Sequence, residues 1–147
     1  MSRGRRDIDR LHDEIQDLFT ELWQVPRFVT HQGFRPQVDA YRTPDPPQLS
    51  IVVELPGVDP AAVHVVVDDH RLLIAGERPR PRIESAGWQQ MEIEYGPFQR
   101  AIALPDDVDP AQATADYERG LLRIVMPVVK RPQTGPVKVP IDVRTHD

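Results

Sequence analysis

Five histidines, His12, His31, His64, His70 and His146, are scattered along the chain. No two of them stand in the H-x-H or H-E-x-x-H spacing that brings two imidazoles to one metal ion. Two carboxylate pairs, Asp68-Asp69 and Asp106-Asp107, have the composition of a general acid and base. Both follow apolar alternating runs and adjoin turn residues, where an Asp side chain accepts hydrogen bonds from the backbone just ahead of it. Turn formation is the better use of them. The run "DDVDP" also lacks the Gly and the distal Glu of a calcium loop. Ser2, Ser50 and Ser85 are the only serines, and none stands in G-x-S-x-G. Phosphate-cradling patterns of the type G-x-x-x-x-G-K-[ST] or G-x-G-x-x-G are missing. The expectation is a non-enzyme with no catalytic residue, no cofactor and no metal.

The bulk numbers narrow the class further. A chain of 147 residues suits one domain with arms. Cysteine is absent, which removes disulfides and thiolate chemistry and suits a reducing cytoplasm. The first residues, "MSRGRRDIDRLHDE", are charged where a secretory signal needs an apolar stretch, and no apolar run approaches the roughly 18 residues of a membrane span. A net charge of −5 argues against nucleic acid as the main partner, because phosphate binding needs a concentrated positive face. The expected location is cytoplasmic, with neither a membrane nor a nucleic acid as partner.

Three segments can be told apart by their period. Over residues 7 to 23, Ile8, Leu11, Ile15, Leu18, Phe19, Leu22 and Trp23 recur at spacings of three and four. That predicts an amphipathic helix capped by Asp7 and stopped by Pro26, with Phe28 just beyond. Its polar face is dominated by Asp and Glu, which anionic lipid would repel. From residue 36 to 128 the period changes to two. Leu49, Ile51, Val53 and Leu55 share one face, as do Val63, Val65 and Val67, and proline or glycine punctuates the runs. Many short strands with little room for helices between them predict an all-β antiparallel sandwich. In the last segment, 129–147, Val137, Val139, Ile141 and Val143 alternate within a Pro- and Gly-containing tail. A one-sided apolar strand in such a tail predicts pairing with some other surface.

One connection, from Gly76 to Phe98, is far longer than a hairpin turn. Inside it, Gln89, Met91, Ile93 and Tyr95, just after Trp88, alternate with polar neighbours as a half-buried strand would. A strand carried on a long loop can reach a second copy's sheet, and reciprocal exchange closes a symmetric dimer.

The stretch "ADYERGLLRIVMP", 115–127, resembles the signature of the small heat-shock proteins, with Ala115, Gly120 and Leu122 at the positions of that family's last hairpin. Gly120 permits a turn of positive φ there, and Leu122 points into the sandwich. The family often has Asn before the Gly; this chain has Arg119. "VELPGV" (53–58), "LLIAGER" (72–78) and "YGPFQRAIALP" (95–105) follow the family pattern in order, and the long loop resembles its bacterial and plant type.

The resemblance implies an immunoglobulin-like α-crystallin β-sandwich over 36–128 with a strand-exchange loop at 77–97. A partly helical N-terminal arm over 1–35 and a flexible C-terminal extension over 129–147 would flank it. It implies that Val139-Pro140-Ile141, or Val137-Lys138-Val139 in the alternative register, docks as an aliphatic-x-aliphatic motif into a groove of another dimer. The receiving residues would be Val63, Val65, Val67, Ala113, Ala115 and Tyr117. Arg100 matches an Arg near the family's subunit interface. The implied activity is an ATP-independent holdase: a dynamic homo-oligomer that binds unfolding client proteins through the N-terminal stripe and prevents their aggregation. Refolding would pass to ATP-dependent chaperones downstream. The alternative is a non-enzymatic β-sandwich binding module, co-chaperone-like, acting as a dimer.

Overall fold

The computed structural model describes residues 33–68, 70–105, 107–130 and 136–145. Its strands are β1 (Val38–Pro44), β2 (Pro47–Glu54), β3 (His64–Val67), β4 (Arg71–Arg78), β5 (Gly96–Ala103), β6 (Thr114–Glu118), β7 (Leu121–Pro127), β8 (Val137–Lys138) and β9 (Ile141–Val143). They form two sheets, in the orders β1-β2-β7-β6-β9 and β5-β4-β3-β8. All pairings are antiparallel except β6 with β9. The sandwich expected from the period-two pattern is therefore present, and the alternation decides which side chains fill it. Leu49, Ile51 and Val53 of β2, Val65 and Val67 of β3, Leu72 and Ile74 of β4, and Leu122, Ile124 and Met126 of β7 are all buried between the sheets. Each such side chain contributes about 1.5–3 kcal/mol when fully withdrawn from water.

Local chemistry sets the connections. Two 3-10 turns, Pro60–Ala62 and Pro110–Gln112, begin at Asp59 and Asp109, whose carboxylates accept from the N–H groups of Ala61 and Ala111. Proline follows each cap, where its fixed φ suits the first helical position and its missing N–H costs nothing. The β6–β7 hairpin turns through Arg119 and Gly120, at φ of 53° and 81°. Two successive positive φ values make the primed turn that matches the twist of its strands. Gly120 has a second reason to be glycine: a Cβ there would stand 3.1 Å from Cβ of Pro56. Gly120→Ala is expected to cost about 1–2 kcal/mol from the left-handed backbone alone. Urea unfolding should show a lower midpoint at unchanged slope.

Two features differ from the sequence expectation. β1 escapes the alternation because, past Val38, it is exposed along its length and presents no apolar face. Seven residue pairs with β2 hold it, and its other edge has no strand beside it among the described residues. The second concerns residues 79–95, where the alternation around Met91 predicts a half-buried strand. No strand forms there, and Trp88, Met91 and Ile93 stand 48%, 55% and 61% exposed. β4 and β5 pair with each other up to Arg78 and Gly96, so the loop leaves from the end of that ladder and pairs with neither strand. Outside any ladder, its backbone polar groups turn to water.

Candidate functional site: an edge groove and an unpaired loop

β3 and β6 lie at the same side of the sandwich, each at the end of its sheet's main strands, and the gap between them is apolar. Val63, Val65, Val67 and Ala115 line it as buried side chains, while Ala113 and Tyr117 are partly buried against the same core. The hydroxyl of Tyr117 donates to the carbonyl of Leu55 at 2.7 Å, tying β6 to the chain just past β2. Burial raises the Tyr117 pKa above its ordinary value, and a backbone hydrogen bond from Val58 partly opposes this.

The C-terminal segment occupies this gap. β8 pairs antiparallel with β3, setting Val137 opposite Val67 and Lys138 opposite Val66. The N–H of Val139 then donates to the carbonyl of Val65 at 2.7 Å. The chain crosses to the other sheet, where β9 runs parallel to β6 with Ile141 opposite Ala115 and Val143 opposite Tyr117. The N–H of Arg144 closes the ladder on the Tyr117 carbonyl at 2.9 Å, and its guanidinium meets Asp116 at 3.5 Å. Val139 is 3% exposed and Ile141 half-buried, whereas Pro140 between them faces outward. A proline suits that place because it has no N–H to offer a sheet edge. The tail was expected on another dimer; here it lies on its own chain. Eight residues, 129–136, connect it to the sandwich and can span up to about 26 Å.

The long loop is tied down at its base. Arg78 is the inward residue at the end of β4 and only 9% exposed. Its Nε and Nη2 both donate to the carbonyl of Glu94, the former at 2.9 Å, and Nη1 donates to the carbonyl of Pro56 at 3.3 Å. Its guanidinium carbon lies 3.6 Å from the Phe34 ring centre and 5.6 Å from that of Tyr95. Arg80 continues the stack, 4.7 Å from Tyr95 and 5.8 Å from Trp88. Phe34 meets Phe98 edge to face at 5.8 Å. No chemical pattern in the sequence marks Arg78 or Arg80 for this role. The available signal was parity, since Arg78 continues the inward series Leu72, Ile74, Gly76.

Of the loop residues read as an exchange strand, Trp88 and Tyr95 join this stack, and Gln89, Met91 and Ile93 face solvent. Arg100 turns to its own chain, where Nη1 donates to the Pro36 carbonyl at 3.0 Å. Burial first, and then the charge of Arg35, lower its pKa. The arm residues Ile8, Leu11, Ile15, Leu18, Phe19, Leu22, Trp23 and Phe28 lie outside the described residues.

The carboxylates do turn work. Asp68 accepts the N–H groups of His70 and Arg71 at 2.8 and 2.7 Å on one oxygen, and the Arg71 side chain on the other. Asp107 stands 3.4 Å from Nδ1 of His70. Asp69 and Asp106 lie outside the described residues. Among the described residues no cluster of three or more His or acidic side chains could hold a metal ion, and no helix is long and apolar enough to cross a membrane.

Comparison with known proteins agrees with this architecture. Residues 42–143 match the model of the Hsp20/alpha crystallin family. The 18 kDa heat shock protein of Streptomyces albus G is 33% identical over 129 residues, spanning 84% of this chain and 89% of that one. Small heat shock protein C2 of Rickettsia felis is 29% identical over 92% of this chain and 86% of its own length. Among solved structures, heat shock protein 16.0 from Schizosaccharomyces pombe superposes with a TM-score of 0.61 at 31% identity, covering 69% of this chain and 93% of that one. The hspA structure from Xanthomonas axonopodis gives a TM-score of 0.59 at 33% identity, covering 66% and 96%. With residues 42–143 matched to the family model and its two-sheet sandwich superposing on these proteins, the chain belongs to the Hsp20/alpha crystallin family of small heat-shock chaperones.

Proposed function

We propose that this protein is an ATP-independent holdase, a homo-oligomer that captures partly unfolded proteins and keeps them from aggregating. The observation that carries the reading is the edge groove filled by Val139 and Ile141. A seat built from two strand edges can accept the same segment of another copy as readily as its own. Two aliphatic anchors give about 3–6 kcal/mol before the cost of ordering the tail, so each contact is weak and only many together hold an assembly. Assembly by such contacts is dynamic and loosens on warming. The exposed loop with Trp88, Met91 and Ile93 would add a strand to the open edge of β1 in a second copy, forming the dimer. The N-terminal stripe, with Phe19, Trp23 and Phe28, supplies adaptable apolar contacts for clients. Held clients would pass to ATP-dependent refolding chaperones, in the cytoplasm.

The test is light scattering of a heat-labile enzyme warmed without ATP beside increasing amounts of this protein. Suppression at near-stoichiometric ratios is expected. Scattering unchanged at every ratio would reject the holdase. The tail's seat on its own chain favours a second reading, a dimeric sandwich binding module. Gel filtration separates the two, because that module would elute as a discrete dimer whose size ignores tail substitutions.

A further inference from the structure

Val66 and Leu73 are 1% and 0% exposed, yet neither belongs to the sandwich core. They pair with each other across β3 and β4, one residue out of phase with the inward Val65, Val67, Leu72 and Ile74. Their side chains therefore leave the opposite, outward face of the four-stranded sheet. Around them on that face Arg71 and Ala75 are half-buried, and His64, Gln99, Ala101, Ala103 and Lys138 are exposed. An aliphatic residue amid exposed neighbours on a bare sheet face keeps some contact with water. Complete burial of two together requires a cover.

We infer that the N-terminal segment 7–23 of the same chain lies across this face, with its apolar stripe over Val66 and Leu73 and its acid-rich side toward water. Two observations choose this occupant. The chain enters the fold beside this sheet: Phe34 N–H donates to the Pro97 carbonyl, and a Cβ on Gly33 would stand 2.5 Å from that oxygen. From Pro97 to Ala101, the cross-strand neighbour of Leu73, is four residues of β5, about 13 Å, and Leu73 is one strand spacing of about 4.8 Å further. Residues 24–32 can span about 30 Å, ample for that distance. The second is the match of surfaces: Leu11, Ile15, Leu18 and Leu22 recur at the spacing of one helical face, an apolar stripe suited to cover an apolar pair. Tethering at so short a distance gives the segment an effective concentration in the millimolar range. This goes beyond the holdase reading and does not depend on it; the face would be the arm's resting seat.

The chain contains no cysteine, so one introduced thiol reports one site. Val66→Cys is nearly isosteric, and Leu73→Cys repeats the measurement should the first perturb the fold. Maleimide should label either thiol at least about tenfold more slowly than the thiol of Ala101→Cys on the same face. Adding Leu11→Asp, Leu18→Asp and Leu22→Asp should bring the rates within about twofold of each other, with the far-ultraviolet circular dichroism of the sheets unchanged. An excess of chains with the natural segment should not restore protection. Fast labelling in the otherwise natural chain overturns the inference. So does slow labelling that ignores the three aspartates, which would show another cover. Protection restored by the added chains would assign the face to a neighbour's segment and overturn the same-chain seat.

Discussion

Replacing Val139 and Ile141 together by alanine is expected to lower the population of the seated tail about 100-fold, a loss of about 3 kcal/mol. The size follows from what each side chain buries. Val139 is almost fully enclosed between Val65 and the core, and Ile141 about half so beside Ala115. At about 0.8 kcal/mol per buried methylene, the first loses about 1.6 and the second about half of its 2.4 kcal/mol. The backbone ladders to β3 and β6 remain possible but are short, two pairs and three pairs, and cannot hold an unanchored strand. Hydrogen exchange reads this directly, because the Val139 amide is bonded to the Val65 carbonyl and should lose its protection while amides of β2 and β7 keep theirs. In a chain that assembles through its tails, light scattering should show the particle shrinking toward dimers. Unchanged exchange at Val139 would mean that the ladders, and not the aliphatic anchors, seat the tail.

Arg78→Ala is expected to destabilise the domain by about 2–4 kcal/mol and to loosen the base of the long loop first. Its three side-chain hydrogen bonds end on the carbonyls of Glu94 and Pro56. The guanidinium also fills the space over the Phe34 ring and between it and Tyr95. Removing it therefore leaves acceptors short of donors and a gap beside an aromatic pair. Arg78→Lys should recover less than half the loss, since an ammonium can neither fork to one carbonyl through two nitrogens nor stack flat on a ring. Urea unfolding of the three proteins gives the energies, and exchange at residues 94–96 gives the order of release. A loss under about 0.5 kcal/mol, the scale of ordinary surface changes, would show that water replaces those bonds at no cost.

Parity made much of the sandwich legible. A strand has a side-chain period of two, so Leu49, Ile51 and Val53 could be placed on one face before their sheet was known, and the same rule kept Val137, Val139 and Ile141 in phase. Gly120 was legible for a related reason, because a two-residue hairpin demands positive φ whatever surrounds it. β1 was not legible, since an edge strand exposed on both faces needs no apolar pattern. Val66 and Leu73 carried an unread signal: the unbroken runs Val65-Val66-Val67 and Leu72-Leu73-Ile74 have apolar residues of both parities, the mark of a strand covered on both sides.

The tertiary structure decided what alternation cannot express, namely which edge each segment meets. A one-sided strand states that it will pair but says nothing of its partner, because backbone ladders are the same at every edge and only proximity chooses among them. Hence the tail could be read as a docking strand, while its seat on β3 and β6 of its own chain depended on the reach of residues 129–136. The loop around Met91 likewise has a strand's pattern, yet within one chain it joins neither sheet, because a pattern of alternation does not say which edge receives it. The stack of Phe34, Arg78, Tyr95, Arg80 and Trp88 joins residues far apart in the chain through contacts that no local period encodes.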